Sequence, residues 1–180
     1  KVLSESIQEN LKDKEWEHLL FSYHGIPERH IRKSDVTKSH CKIDKSCCQT
    51  SSRAHQFCYR HQCYETTRRV AEYLELKEGT FSTSFQSRLG LDPWLRPYTD
   101  KTVAKFAKKG VKKMAIATPA FVSDCLETLE EIGMEAVEDF EEKGGEKLYV
   151  IPCINDRPDW VNVISRWIDQ WALAETAKTS

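Results

Sequence analysis

Long apolar runs are absent from this sequence, and no stretch approaches the ~20 residues that a membrane-spanning helix needs. A charge excess is absent as well, because 27 Lys and Arg residues face 28 Asp and Glu residues and leave a net charge of −1. Without a basic field we expect no nucleic-acid partner. The starting Met and the apolar stretch of a signal peptide are also missing, so we expect the chain to be a piece of a longer protein.

Apolar residues make up only 39% of the 180 residues, but large side chains are plentiful. The 5 Trp, 6 Tyr and 7 Phe residues are sufficient to build a core, so wholesale disorder is not expected. The length suits one substantial domain.

The seven cysteines are unevenly distributed, with five of them in one short segment: Cys41, Cys47, Cys48, Cys58 and Cys63. A secreted disulfide scaffold would be shorter and would spread its cysteines along the chain. The cluster therefore favours metal binding in a reducing compartment, with disulfide pairing as the alternative. The surrounding stretch is polar, and we interpret about residues 34–63 as a cysteine-rich insertion.

Four short apolar runs have the length of buried strands, and stretches of helical period separate them. The runs cover residues 19–23, 81–85, 114–117 and 148–151. The clearest helical pattern is the last, with an apolar face formed by Trp160, Val163, Ile164, Trp167, Ile168 and Trp171. This alternation predicts an α/β fold, in which about four parallel strands are flanked by helices on both faces.

Ligands bind parallel sheets at the carboxyl ends of the strands, which draws attention to the residues directly after each predicted strand. His24 follows the first strand, where it would serve as a proton acceptor or metal ligand, or simply as a hydrogen-bonded turn residue. Trp94 lies in a loop rich in proline and aromatic residues. Its side chain would serve either as a packing lid or as a wall for a flat ligand.

The junction after the third strand predicts a helix capped by Ser123. Leu126, Leu129 and Ile132 form its apolar face at a period of 3.6 residues. Glu127 lies nearly opposite that face, so periodicity alone predicts a solvated side chain. Thr99 is the predicted cap of the preceding helix.

Four motifs in this order resemble the ferrochelatase family: residues 22–27 (SYHGIP), 85–88 (FQSR), 93–97 (PWLRP) and 121–129 (FVSDCLETL). The resemblance covers about residues 16–171 and concerns the carboxyl-terminal half of the family. It implies a Rossmann-like chelatase domain, here residues 1–180, as the second domain of a two-domain enzyme that inserts Fe(II) into protoporphyrin IX. It also implies that the missing amino-terminal half is a partner and that this piece alone is incomplete for turnover.

The resemblance further implies roles for single residues. The catalytic pair would be His24 and Glu127, which would also contact the substrate iron, and a histidine base suits a porphyrin that must lose two pyrrole protons. The residues implied to bind the porphyrin are Trp94, Phe121, Gln86 and Asp124. The family further implies a cytoplasmic protein, with a peripheral contact to the inner membrane as an open question.

Some ferrochelatases carry a 2Fe–2S cluster, and the resemblance extends to members with cysteines in an internal insertion. Five thiols compete for four ligand positions, and we select Cys41, Cys48, Cys58 and Cys63, with Cys47 as the alternate. Structural zinc in the same thiols is the second option. The alternative function is an iron–sulfur or zinc-binding module without catalysis.

Overall fold

The computed structural model describes residues 1–44 and 46–179 and contains one sheet of four parallel strands. These are β1 (His18–His24), β2 (Phe81–Gln86), β3 (Lys113–Ala117) and β4 (Lys147–Val150). Their order in the sheet is β2-β1-β3-β4, so β1 and β3 are the central strands and β2 and β4 are the edge strands. The predicted parallel α/β fold is confirmed.

Helices cover both faces of the sheet and give it two separate apolar cores. The helices are α1 (Val2–Leu11), α2 (Glu28–Ser34), α3 (Tyr59–Tyr73), α4 (Thr99–Lys108), α5 (Ala136–Glu142) and α6 (Pro158–Thr179). Because side chains alternate along β1, Leu19 and Phe21 pack with Ile7 of α1 and Val70 of α3. Leu20 points the other way, into the core on the α4 and α5 side.

A π-helix (Glu127–Glu135) leads directly into α5, and it changes the face that the sequence predicted. Leu126 and Leu129 are 71% and 60% exposed, whereas Thr128 and Ile132 are buried. A π-helix closes i→i+5 hydrogen bonds, so its turn is wider than the 3.6 residues assumed for the prediction. The apolar face assigned to Leu126 and Leu129 is therefore wrong.

Two of the predicted helix caps are wrong as well. The helix after β3 begins at Leu126, and Ser123 lies exposed in the loop before it. Helix α4 does begin at Thr99, but the Thr99 hydroxyl turns inward and lies 2.7 Å from the Ser22 hydroxyl. The Thr99 hydroxyl is therefore engaged in this buried pair and does not cap the first turn of α4.

Helix α6 forms where periodicity predicts it, but its apolar face is not covered. The exposed fractions are 57% for Trp167, 57% for Ile168 and 67% for Trp171. None of the described helices combines the length and the apolar character needed to cross a membrane.

Candidate active site

His24 is the last residue of β1 and lies beside Gln86, the last residue of β2. Its Nδ1–H donates a 2.6 Å hydrogen bond to the carbonyl oxygen of Gly25. The carbonyl can only accept, so the proton of the neutral ring is fixed on Nδ1. Nε2 therefore carries the free electron pair that a base or a metal ligand requires.

Gly25 allows the chain to leave β1 in close contact with the end of β2. The Gly25 N–H donates to the Gln86 carbonyl at 2.7 Å. A Cβ atom at position 25 would lie 2.8 Å from the Gln86 carbonyl oxygen and 2.9 Å from that of Ser87. Both partners are backbone atoms that cannot rotate away, so this position requires glycine.

Two aromatic rings flank His24. The ring of Phe121 has its centroid 6.0 Å from that of the imidazole, and the ring of Trp94 lies at 6.4 Å. Trp94 is fixed by an Nε1–H bond of 2.9 Å to the Leu89 carbonyl, and the neighbouring Leu95 N–H donates to the Ile26 carbonyl at 3.1 Å. The histidine thus lies between two half-buried, anchored aromatic side chains.

Gln86 lies beneath this surface and is only 4% exposed. The Ser22 hydroxyl donates to its Oε1 at 2.8 Å, which fixes the orientation of the amide. Its Nε2 is buried without a hydrogen-bond partner in the described structure. An unpaired buried donor is costly, so this amide is suited to a ligand acceptor.

Glu127 begins the π-helix and is half-buried, contrary to the solvated position that periodicity predicts. Its pKa lies below the usual value, mainly because of the hydrogen bond from Cys125, with a further contribution from the attraction to His24. The attraction to His24 is the smallest of these contributions, so the catalytic pairing of the two side chains stays a prediction.

A cleft of about 440 Å³ continues from Gln86 along the π-helix. Its lining includes Glu131 and Glu135 of the π-helix and Arg88, whose guanidinium pairs with Asp100 at 2.9 Å. The Ser87 hydroxyl donates to Glu131 at 2.8 Å and holds it toward the strand ends. Nothing in the sequence singles out Glu131 and Glu135, because charged residues on a helix usually form a solvated face.

Asp124 holds two loops together. Its carboxylate accepts hydrogen bonds from the Asn155 amide at 2.8 Å and the Cys153 N–H at 3.2 Å. Burial would raise the pKa of Asp124, but these bonds outweigh burial and lower it. In this structure its oxygens are engaged by protein donors rather than directed toward His24.

The cysteine segment folds around the Asp35 carboxylate. That group accepts hydrogen bonds from the backbone of Thr37, His40 and Cys41, at 2.8–2.9 Å, and from the Thr37 hydroxyl at 2.7 Å. The hydroxyl of Thr37, followed by the backbone donors, lowers the pKa of Asp35 to about 2. A single carboxylate thus shapes the turn that presents Cys41.

Four of the five clustered cysteines line one small cavity: Cys41, Cys47, Cys48 and Cys58. Cys63 lies apart from it, buried in the core between the sheet and α3. Burial raises the pKa of the Cys41 and Cys48 thiols to about 11. Across residues 1–44 and 46–179, no three metal-binding side chains lie close enough to form a ready metal site.

Arg60 is the residue of this region that the sequence gave no reason to select. It is 1% exposed, and its guanidinium donates to the carbonyls of Lys42 and Ile43 and to the Cys47 sulfur, at 2.6–3.2 Å. Its Nε has no partner in the described structure. Among the described contacts no carboxylate is hydrogen-bonded to this buried cation. The thiols of Cys48, Cys47 and Cys41 and the Asp44 carboxylate interact with its charge.

The cysteine segment also contacts the histidine directly. Tyr59 follows Cys58 in the sequence, and its hydroxyl donates a 2.8 Å hydrogen bond to the His24 carbonyl. The first turn of α3 therefore connects the cysteines to the end of β1.

Known proteins resemble this chain along most of its length. A model of the ferrochelatase family matches residues 1–171. The ferrochelatase of Pseudomonas fluorescens (strain SBW25) is 47% identical over 169 residues, which are 93% of this chain and 48% of that protein. The ferrochelatase of Opitutus terrae is 46% identical over 158 residues, 88% of this chain and 46% of that protein.

The ferrochelatase of Legionella pneumophila (strain Philadelphia 1) is 44% identical over 173 residues, 94% of this chain and 48% of that protein. The chain thus spans about half the length of the curated relatives it matches. With the family match over nearly all of its residues, the chain belongs to the ferrochelatase family.

Proposed function

We propose that this chain forms the carboxyl-terminal half of an enzyme that inserts Fe(II) into protoporphyrin IX. The observation that carries the proposal is the free Nε2 of His24, held between the rings of Trp94 and Phe121. The aromatic walls suit a flat macrocycle, and a base that faces the centre of that macrocycle suits the removal of pyrrole protons.

Insertion replaces two pyrrole N–H protons by one Fe(II) ion, so the protein must accept two protons for each haem. His24 Nε2 takes a pyrrole proton, because its lone pair is free and Nδ1 already carries a proton. Glu127 stabilises the imidazolium that forms and passes protons on. The carboxylates of Glu131 and Glu135 give the cleft a negative wall that attracts Fe(II).

The rest of the porphyrin site belongs to the part of the family that this chain does not cover. His24 lies with the rings of Trp94 and Phe121 at the carboxyl end of the strands. Together they form one side of a cleft. We therefore propose that residues 1–180 are one domain of two and need the other for turnover.

A chimera tests this function. The segment of Pseudomonas fluorescens (strain SBW25) ferrochelatase that this chain matches is replaced by residues 1–180, and haem formation is followed by absorbance without oxygen. Haem production that falls with His24→Ala and not with His30→Ala, an exposed histidine, supports the proposal. A folded chimera that binds protoporphyrin but forms no haem would overturn it in favour of a binding module.

We also propose a thiolate-bound metal in the cysteine segment, with a 2Fe–2S cluster as the first choice and structural zinc as the second. The fit rests on Arg60, to which no carboxylate is hydrogen-bonded within the described residues, because buried cations need an anionic partner. Thiolates of Cys41, Cys47, Cys48 and Cys58 would supply that charge, and the cavity favours Cys47 over our sequence choice of Cys63.

Bound there, a cluster would supply structural cross-linking rather than iron for haem, since its ligands lie outside the His24 site. Purification without oxygen, followed by iron, sulfide and zinc analysis, tests the assignment. Red-brown protein containing iron and sulfide supports the cluster, and colourless protein with one zinc supports the second choice. Protein without either metal contradicts both.

A further inference from the structure

A chain of buried hydroxyl groups lies beneath the candidate active site, between β1, β2 and the start of α4. Ser22 and Ser84 face each other in the strand register, two residues before His24 and Gln86. Side chains two residues apart on a strand share a face, so all four point to the same side of the sheet. Thr99, the first residue of α4, bonds to both serines, and the three hydroxyl residues are at most 3% exposed.

The hydrogen bonds of this chain run in one direction. The Ser22 hydroxyl donates its single proton to Gln86 Oε1 at 2.8 Å. The 2.7 Å bond between Ser22 and Thr99 therefore takes its proton from Thr99, and the 2.9 Å bond between Thr99 and Ser84 takes its proton from Ser84. Because each hydroxyl has one proton to donate, the direction from Ser84 to Gln86 is set.

The amide at the end of the chain has an atom without a partner. Gln86 Nε2 is buried and makes no hydrogen bond within the part of the protein that the structure describes. Buried polar networks are stabilising when every member is satisfied and costly when one is not. Gln86 and Thr99 both line the cleft beside the π-helix. The missing partner is therefore expected from a ligand in that cleft, as a hydrogen-bond acceptor.

We propose that Thr99 is a positioning residue for the porphyrin site, which acts through Ser22 on the amide of Gln86. Because Thr99 supplies the proton of its bond to Ser22, the Ser22 proton is left for Gln86. The amide then keeps Oε1 turned to Ser22 and Nε2 turned to the substrate. Without the Thr99 hydroxyl, Ser22 can accept from Nε2 instead, and the amide turns over. An acceptor atom of the porphyrin would then face Oε1, a second acceptor.

A second hydroxyl chain, on the opposite face of the sheet, provides a comparison. Tyr23 and Thr83 both bond to the Thr67 hydroxyl, at 2.9 and 3.0 Å. These three side chains are also buried, but in the described structure none of them lines the cleft beside the π-helix. Loss of the Thr83 hydroxyl should therefore lower stability and leave porphyrin binding unchanged.

The test is a double-mutant cycle in the chimera described above, in which fluorescence quenching gives the dissociation constant of protoporphyrin. Thr99→Val keeps the shape and removes the hydroxyl, so it should weaken binding by about fivefold, as for one neutral hydrogen bond. Thr99→Ser should restore binding to within about twofold of the parent. With Gln86→Leu already present, Thr99→Val should change binding by less than about twofold, because the amide is gone. Thr83→Val is the matched control and should also stay within about twofold.

Three results would overturn the inference: independent effects of Thr99→Val and Gln86→Leu, an equal loss in Thr83→Val, and no rescue by Thr99→Ser. The inference rests on the proposed porphyrin site, but the cycle measures binding and needs no turnover. The cycle can therefore fail in a chimera that forms haem, and it can succeed in one that binds porphyrin without forming haem. Failure of the positioning role is thus distinguishable from failure of the proposed activity. Thermal unfolding, followed by circular dichroism, confirms that each variant is folded at the temperature of the titration.

Discussion

The two functional regions of this molecule are built in different ways. The carboxyl edge of the sheet rests on continuous main-chain pairing, with His24 in register with Gln86 and with Gly25 bonded across the strands. The cysteine segment contains two short 3₁₀ turns, Ser46–Gln49 and Arg53–Phe57, and depends on one carboxylate and one guanidinium. The former is held by backbone hydrogen bonds, and the latter by a few contacts of buried side chains.

This difference shows where function and stability separate. Preorganised groups can act on a substrate without first being ordered, which is what catalysis requires. The proposed metal, bound by thiolates beside the buried Arg60, would instead stabilise the segment that holds it. We therefore expect changes at the sheet edge to affect turnover and changes in the segment to affect folding.

The largest effect is expected from His24→Ala in the chimera. Loss of the general base should lower the rate of haem formation by ~10²–10⁴-fold. The melting temperature should stay within about 2 °C, because the imidazole is at a strand end and bonds only to its neighbour. A rate within tenfold of the parent would show that another group accepts the proton.

Next in size is the pH dependence of stability caused by His18, at the opposite end of β1. This side chain is 4% exposed, its Nε2 is 2.8 Å from the Ser82 hydroxyl, and burial lowers its pKa to about 4. The unfolded chain binds a proton below about pH 6.5, whereas the fold resists protonation until about pH 4. Stability is therefore complete above about pH 6.5 and falls by about 3 kcal/mol as the pH drops to about 4.

Urea unfolding of residues 1–180 across this pH range measures the loss. His18→Gln should flatten the difference between the two ends of the range, and His30→Gln should not. The same pH dependence of the unfolding free energy in the parent chain, His18→Gln and His30→Gln would show that the acid sensitivity comes from carboxylates instead.

Removal of one cavity thiol should have a smaller effect, confined to the segment. Cys58→Ser should lose the bound metal and lower stability by about 2 kcal/mol, or about 4–8 °C in melting temperature. Cys125→Ser, outside the cavity, should keep both the metal and the stability of the parent protein. Protoporphyrin fluorescence quenching by the chimera should remain, and its loss in Cys58→Ser would show that the Tyr59 bond to His24 makes the regions dependent on each other.

The smallest effect is expected for Glu127→Gln in the chimera. The amide keeps the shape but cannot stabilise the imidazolium, so kcat should fall by about tenfold with little change in KM. Glu130→Gln, exposed on the same helix, is the matched control. Equal losses in both variants would mean that general negative charge, and not the His24–Glu127 pair, matters.

The sheet was predictable because each strand is a short apolar run with clear ends. His24 and Trp94 were also within reach from their positions after strands, and Phe121 was implied by the family resemblance. The buried face of the helix after β3 was not predictable, because the sequence does not announce a change from 3.6-residue turns to π-helical ones. Periodicity assigns a face to a helix only when the period is known.

Two further misses have a different cause. Periodicity predicted helix α6 correctly. An amphipathic pattern predicts an apolar face, but it does not predict which surface packs against that face. Arg60 lies two residues after Cys58 and carries no local signal, because its role depends on carbonyls from residues 42 and 43. Such contacts between distant segments become visible only in three dimensions.

Gly25 has a consequence for how the gene can vary. Every missense change at a glycine codon adds at least a Cβ atom, and here that atom meets two backbone oxygens and lies 3.3 Å from Trp94. No codon for another residue at position 25 is therefore neutral in its effect on the protein. In a saturation mutagenesis library of this chain, glycine should be the one residue recovered at that position, while exposed neighbours such as Arg29 accept many.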